Sequence, residues 1–284
     1  AHSEGSAEAD WGRHVRQAAE FALAGVGRAL AQAASCRFGN TGVIAVGISN
    51  GGGAVLRASE EEGGWLDAVV AGEPNIYAAD APGARSLYDY TTEAALLMPC
   101  ALLDLPAETL PQPPLRAQVE PLWTARCATL KAAGLVTGGD AKAQAASARA
   151  QLKANGWTDD ALVAGALSVG FDLWRAVAVT YASAYGRYGV GEHPCGFAFS
   201  AQNPDFSARA ASAAERAAWW SDGSGIPPGA GVGIVDTKLA PPDFTLPGLQ
   251  CLRALQAGEG DDARRVQAGI AQTAARFPKT RRPV

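Results

Sequence analysis

The sequence holds no apolar run near the roughly 18 residues that a membrane-crossing helix requires, so no membrane span is expected. It also lacks a basic surplus: 24 Lys and Arg stand against 28 Asp and Glu, giving a net charge of −4. That balance leaves no broad basic surface and sets nucleic acid aside as a partner. Cysteine is sparse, and the five present (Cys36, Cys100, Cys127, Cys195, Cys251) show neither CxxC nor Cys/His spacing. A zinc site is therefore not expected. The odd count fits two disulfides plus a free thiol or five reduced thiols, and the sequence alone does not choose. No signal peptide opens the chain, which starts Ala1-His2-Ser3-Glu4 rather than with Met and so reads as a processed or excised piece.

What is there is an ordinary globular balance, 48% hydrophobic and 18% charged over 284 residues, enough for one large domain or a core with a cap. Residues 11–34 carry Trp11, Val15, Ala18, Ala22, Val26 and Leu30 at helical spacing behind Asp10, a candidate N-cap. After the break at Gly39-Asn40-Thr41-Gly42, the run Val43-Ile44-Ala45-Val46 predicts a strand buried on both faces. A glycine-rich turn from Gly47 to Gly53, a helix over 54–61 and a second strand over 67–71, ending in Gly72-Glu73-Pro74, complete a parallel βαβ unit. Past Ile76 the texture becomes alanine-rich and helical, broken by Pro106, Pro111, Pro113 and Pro114, and from 186 to 250 loop-rich. Amphipathic spacing returns with Val266, Ile270 and Ala274. The predicted organisation is a core segment over 1–76, a mainly helical cap or lid over 77–262, and a return to the core over 263–284. The end at Arg281-Arg282-Pro283-Val284 reads as a core cut before its next strand.

Gly47-Ile48-Ser49-Asn50-Gly51 matches the G-x-S-x-G pattern of a nucleophile elbow. In a chain with 33 glycines the five-residue pattern alone is weak, but here it lies directly between a strand and a helix. An elbow needs a strained turn that lifts the serine hydroxyl above the sheet, with small residues where the chain crosses itself; hence Gly47 and Gly51. The Asn50 amide would give one oxyanion-hole hydrogen bond, aided by the positive end of the helix. The alternative is a glycine-rich βα turn with a bystander serine, such as a phosphate loop, which would want a lysine before its helix and has none here.

The stretch Ile44-Ala45-Val46-Gly47-Ile48-Ser49-Asn50-Gly51-Gly52-Gly53-Ala54-Val55-Leu56-Arg57-Ala58, followed by Val69-Val70-Ala71-Gly72-Glu73-Pro74, closely resembles D-(−)-3-hydroxybutyrate oligomer hydrolases. Asp10-Trp11-Gly12-Arg13, Tyr185-Gly186-Arg187, Cys195-Gly196-Phe197 and Arg265-Val266-Gln267-Ala268-Gly269-Ile270 extend the likeness over nearly the whole chain. The resemblance implies an α/β-hydrolase core with a large lid and a serine esterase that cuts 3-hydroxybutyrate oligomers to monomers during polyhydroxybutyrate degradation. It implies Ser49 as nucleophile, no metal or organic cofactor, and a secreted or periplasmic setting. It places the triad acid and histidine beyond Val284.

Within the chain only His193 follows Ser49 in the Ser–acid–His order of such hydrolases, and it sits in a loop of the expected lid. The structural alternative is a lid histidine. His2 and His14 precede the nucleophile, and Cys195 has no elbow to make it one. Glu73, at the end of the second strand, is a candidate acid or a structural carboxylate. Trp174, Trp219 and Trp220 are candidates for an apolar substrate groove or for packing. Asp159-Asp160 and Asp261-Asp262 read as helix-start acids, not metal ligands. Two rival functions remain: a feruloyl-esterase-like or tannase-like carboxylesterase with a large lid, and a catalytically inert hydrolase core.

Overall fold

Apolar residues at alternating and at three- to four-residue spacing set the order of the first elements. The computed structural model describes residues 10–30, 36–76, 82–110, 116–170, 172–188, 192–203, 208–221, 233–236, 243 and 245–276. Helix α1 (Trp11–Ala29), strand β1 (Ile44–Ile48), helix α2 (Asn50–Ser59) and strand β2 (Ala68–Gly72) follow in turn. The strands pair in parallel, from Ile44 opposite Ala68 to Ile48 opposite Gly72, with α2 as the crossover. Asp10 stands before α1 without a side-chain capping bond, and its carboxylate instead pairs with Arg13 at 3.2 Å. Gly12 lets the two helices meet, since a Cβ there would come within 2.7 Å of the Arg57 carbonyl oxygen.

The expectation that β1 is buried on both faces is corrected. Ala45 is buried, whereas Ile44, Val46 and Ile48 are 63%, 67% and 73% exposed, beside exposed Val70 on β2. Side chains alternate across a strand, and α2 packs on one face of this pair only. The uniform apolar run therefore does not translate into two buried faces.

The chain divides into two compact units, Ala1–Leu87 with Ala268–Val284, and Tyr88–Gln267. The second unit is built around α3 (Leu87–Ala101), which is buried on nearly all sides. It also holds α4 (Arg116–Ala132), α5 (Ala141–Ala154), α6 (Asp159–Gly170) and α7 (Leu173–Tyr185), then α8 (Ala213–Ser221), α9 (Leu246–Ala257) and the start of α10 (Ala263–Arg276), which crosses the unit boundary. The segment after 186, read from sequence as loop, also holds a three-stranded antiparallel sheet: β3 (Phe197–Gln202) lies between β4 (Ala208–Arg209) and β5 (Gly233–Asp236). No described single helix is long and apolar enough to cross a membrane.

A proline inside α3 explains one buried charge. Pro99 has no N–H to offer the Ala95 carbonyl four residues earlier. Arg126 of α4 supplies the missing donor, with Nη1 2.8 Å from Ala95 O and 3.1 Å from Leu96 O. Its other nitrogens bond the Asp243 carboxylate and Thr245 Oγ1, and Thr129 Oγ1 donates to Asp243 at 2.9 Å. Burial alone pushes the Asp243 carboxyl up, but the bonds and charge of Arg126, with those of Thr245 and Thr129, hold it below the usual range. Disulfides join Cys100 to Cys127 and Cys195 to Cys251, leaving Cys36 free.

Candidate active site

Strand β1 ends at Ile48 and α2 begins at Asn50, so the chain turns from strand to helix on one residue. That residue is Ser49, with φ 55° and ψ −118°. A positive φ on a non-glycine residue is held only where neighbours over-determine it, and several do. The Ser49 N–H donates to Gly72 O at 2.9 Å, prolonging the β1–β2 ladder by one bond. Its carbonyl accepts from Gly53 N and from Asn75 N, each at 3.0 Å. Ser49 itself is exposed, at the C-terminal edge of a parallel pair, the edge where open α/β sheets bind ligands. The Asn50 amide belongs to the first turn of α2, where N–H groups have no intrahelical acceptor and the helix end is positive.

The glycines divide differently from the motif reading. A Cβ on Gly47 would overlap the Gly51 carbonyl, so Gly47 is required by close approach. The reason given for Gly51 fails, because a Cβ there meets nothing within 4 Å. The tight positions are the next two: a Cβ on Gly52 would stand 2.6 Å from Gly72 O and 3.0 Å from Pro74 Cα. On Gly53 it would stand 3.0 Å from Asn75 O and 3.1 Å from the Trp11 ring. The segment after β2 thus lies against the elbow. Glu73, at its start, is exposed with φ 43°, and its carboxylate has no described bond to the Ser49 hydroxyl. Asn75 Nδ2 donates to Asn50 Oδ1 at 2.8 Å. Sequence reasoning missed Gly52, Gly53 and Asn75; the triple glycine was the available signal for the first two.

His193 lies in the other unit, just before the turn that carries Cys195, with Nδ1 2.9 Å from Ser183 Oγ on α7. Burial holds its pKa below the ordinary histidine value. His14 is exposed on α1, and His2 lies outside the described residues. The Cys195 sulfur is committed to a disulfide and is no nucleophile. Trp174 stacks edge-on to Trp157 at 5.9 Å, which is packing, while the side chains of Trp219 and Trp220 lie outside the described residues. Asp159 opens α6 and pairs with Arg149 at 2.9 Å and Lys153 at 3.0 Å, as a helix-start acid would.

The family described as 3HB-oligomer hydrolase (3HBOH) matches residues 1–284. The D-(-)-3-hydroxybutyrate oligomer hydrolase of Burkholderia vietnamiensis (strain G4 / LMG 22486) is 39% identical over 288 residues, covering 90% of this chain and 41% of that protein. The protein of the same name from Burkholderia pseudomallei (strain 1106a) is 37% identical over 308 residues, covering 95% of this chain and 44% of its own length. The chain therefore spans about two fifths of the length of these relatives. No solved structure matches it.

Proposed function

This chain belongs to the 3HB-oligomer hydrolase family, and on that footing we propose that Ser49 is the nucleophile of a serine esterase acting on 3-hydroxybutyrate oligomers. The observation that carries the reading is the backbone of Ser49, φ 55° at a one-residue strand-to-helix turn on the ligand-binding edge of a parallel βαβ unit. We read that unit as part of an α/β-hydrolase sheet, with the helical unit as its lid.

In this mechanism Ser49 Oγ attacks the ester carbonyl carbon while a general base takes its proton. The carbonyl π pair moves to oxygen, and the Asn50 N–H and the α2 dipole stabilise the oxyanion. Collapse of the tetrahedral intermediate expels the hydroxyl end of the departing 3-hydroxybutyrate unit, which takes a proton, and leaves an acyl-Ser49 ester. Water then attacks that ester and releases the second carboxylate. No metal or organic cofactor enters these steps. Two disulfides fit an oxidising compartment, and a secreted or periplasmic setting is part of the proposal.

The test is the full-length protein and its Ser49→Ala variant on 3-hydroxybutyrate trimer, on a feruloyl ester, and with a fluorophosphonate label. Trimer turnover and labelling that both vanish with Ser49 support the reading. Turnover that survives Ser49→Ala removes the nucleophile, and preference for the feruloyl ester removes the substrate.

A further inference from the structure

We infer that Asn75 is a positioning residue that aims the oxyanion-hole donor, an inference that rests on Ser49 being the nucleophile. The peptide unit between Ser49 and Asn50 is planar and trans, so the Ser49 carbonyl and the Asn50 N–H point in opposite directions. Whatever fixes the carbonyl fixes the donor. The carbonyl is held from two sides, by the Gly53 amide of α2 at 3.0 Å and by the Asn75 amide at 3.0 Å. A carbonyl oxygen has two lone pairs, and both are directed here. The Asn50 N–H is therefore turned out of the start of α2, toward the side on which a substrate oxygen on Ser49 would develop charge.

The Asn75 side chain adds a second hold. Its Nδ2 donates to Asn50 Oδ1 at 2.8 Å, tying the residue that carries the donor to the segment after β2. Access for that segment comes from the glycines: a side chain on Gly53 would press on Asn75 O, and one on Gly52 on Pro74. Glu73, at φ 43°, bends the chain back so that Asn75 reaches the elbow. Asn75 touches no reacting atom, and it acts through the Ser49–Asn50 peptide. Oxyanion donors work because they are already oriented before charge develops, so loss of this bracing falls on the transition state rather than on substrate binding.

The experiment compares wild type, Ser49→Ala, Asn75→Ala, Asn50→Ala and the Asn50→Ala/Asn75→Ala double variant of the full-length protein on 3-hydroxybutyrate trimer. Both single variants keep the backbone amides of Asn50 and Asn75, so they remove the side-chain hold and leave the backbone bond to the Ser49 carbonyl. Each is expected to lower kcat about tenfold with KM held, and to weaken a trifluoromethyl ketone inhibitor, whose adduct carries the oxyanion, by the same factor. The double variant should be slowed by less than the product of the two single effects, because the Asn75 Nδ2–Asn50 Oδ1 contact is removed in all three. Wild-type kcat in Asn75→Ala overturns the inference, as do single effects that multiply, or a loss that appears in KM alone. Should Asn75→Ala fail to fold, Asn50→Ala decides the matter by the same kcat, KM and inhibitor readings. Turnover that survives Ser49→Ala refutes the nucleophile instead, which separates the two failures.

Discussion

Replacing Gly52 by alanine tests how the elbow is held. The added Cβ would stand 2.6 Å from Gly72 O and 3.0 Å from Pro74 Cα, both backbone atoms that no rotamer change can move away. Carbon contacts relax at about 3.5–4.0 Å, so the start of α2 and the end of β2 must separate by roughly 1 Å. Ser49 N–H and the Ser49 carbonyl bond to that same segment, through Gly72 O and Asn75 N, so the shift is delivered to Ser49 and the Asn50 amide. A displacement of about 1 Å costs on the order of 10²-fold in rate, and overpacking of this kind about 1–3 kcal/mol in stability. Gly51→Ala is the contrast: its Cβ meets nothing within 4 Å, and the variant should keep most of its activity. The measurements are kcat on 3-hydroxybutyrate trimer and urea unfolding of the full-length protein. Full kcat in Gly52→Ala, or an equal loss in Gly51→Ala, refutes the reasoning.

Four further outcomes concern the helical unit. Closing loops across sequence separations of 27 and 56 residues, the Cys100–Cys127 and Cys195–Cys251 bridges should each stabilise by about 3–4 kcal/mol, seen as a lower unfolding midpoint after reduction. Arg126→Ala should cost about 3–5 kcal/mol, because it leaves Asp243 charged and buried and the Ala95 carbonyl without its donor; urea midpoints measure it. Asp243 has a depressed pKa, so its contribution is present above the unfolded carboxyl pKa of about 3.9 and lost as pH falls through the lower folded value. His193 also has its pKa lowered, by burial, so stability should fall as pH drops below about 6.5, where the unfolded chain takes the proton first. Asn in place of His193 should flatten that part of the pH–stability curve.

Contacts within a few residues were legible before the fold was known. The order α1, β1, α2, β2 follows from apolar spacing and glycine breaks, and the turn at Ser49 follows from Gly47 before it and a helix after it. Gly47 is needed against Gly51, four residues away, so the motif contains both partners of that contact. The demands on Gly52 and Gly53 come from Gly72, Pro74 and Asn75, after an intervening helix and strand. The hold of Asn75 on Ser49 and Asn50 spans the same gap, and an asparagine after Gly-Glu-Pro carries no sign of it. Cysteine spacing likewise leaves the pairing open, because a disulfide needs proximity in space, which α3, α4, α9 and the turn at Cys195 create. The run Val-Ile-Ala-Val told that β1 is a strand but not which face is covered, since burial depends on the elements packed against it. Local backbone preference and apolar period thus determined the elements and the turn at Ser49; what braces that turn was decided by packing between segments far apart in the chain.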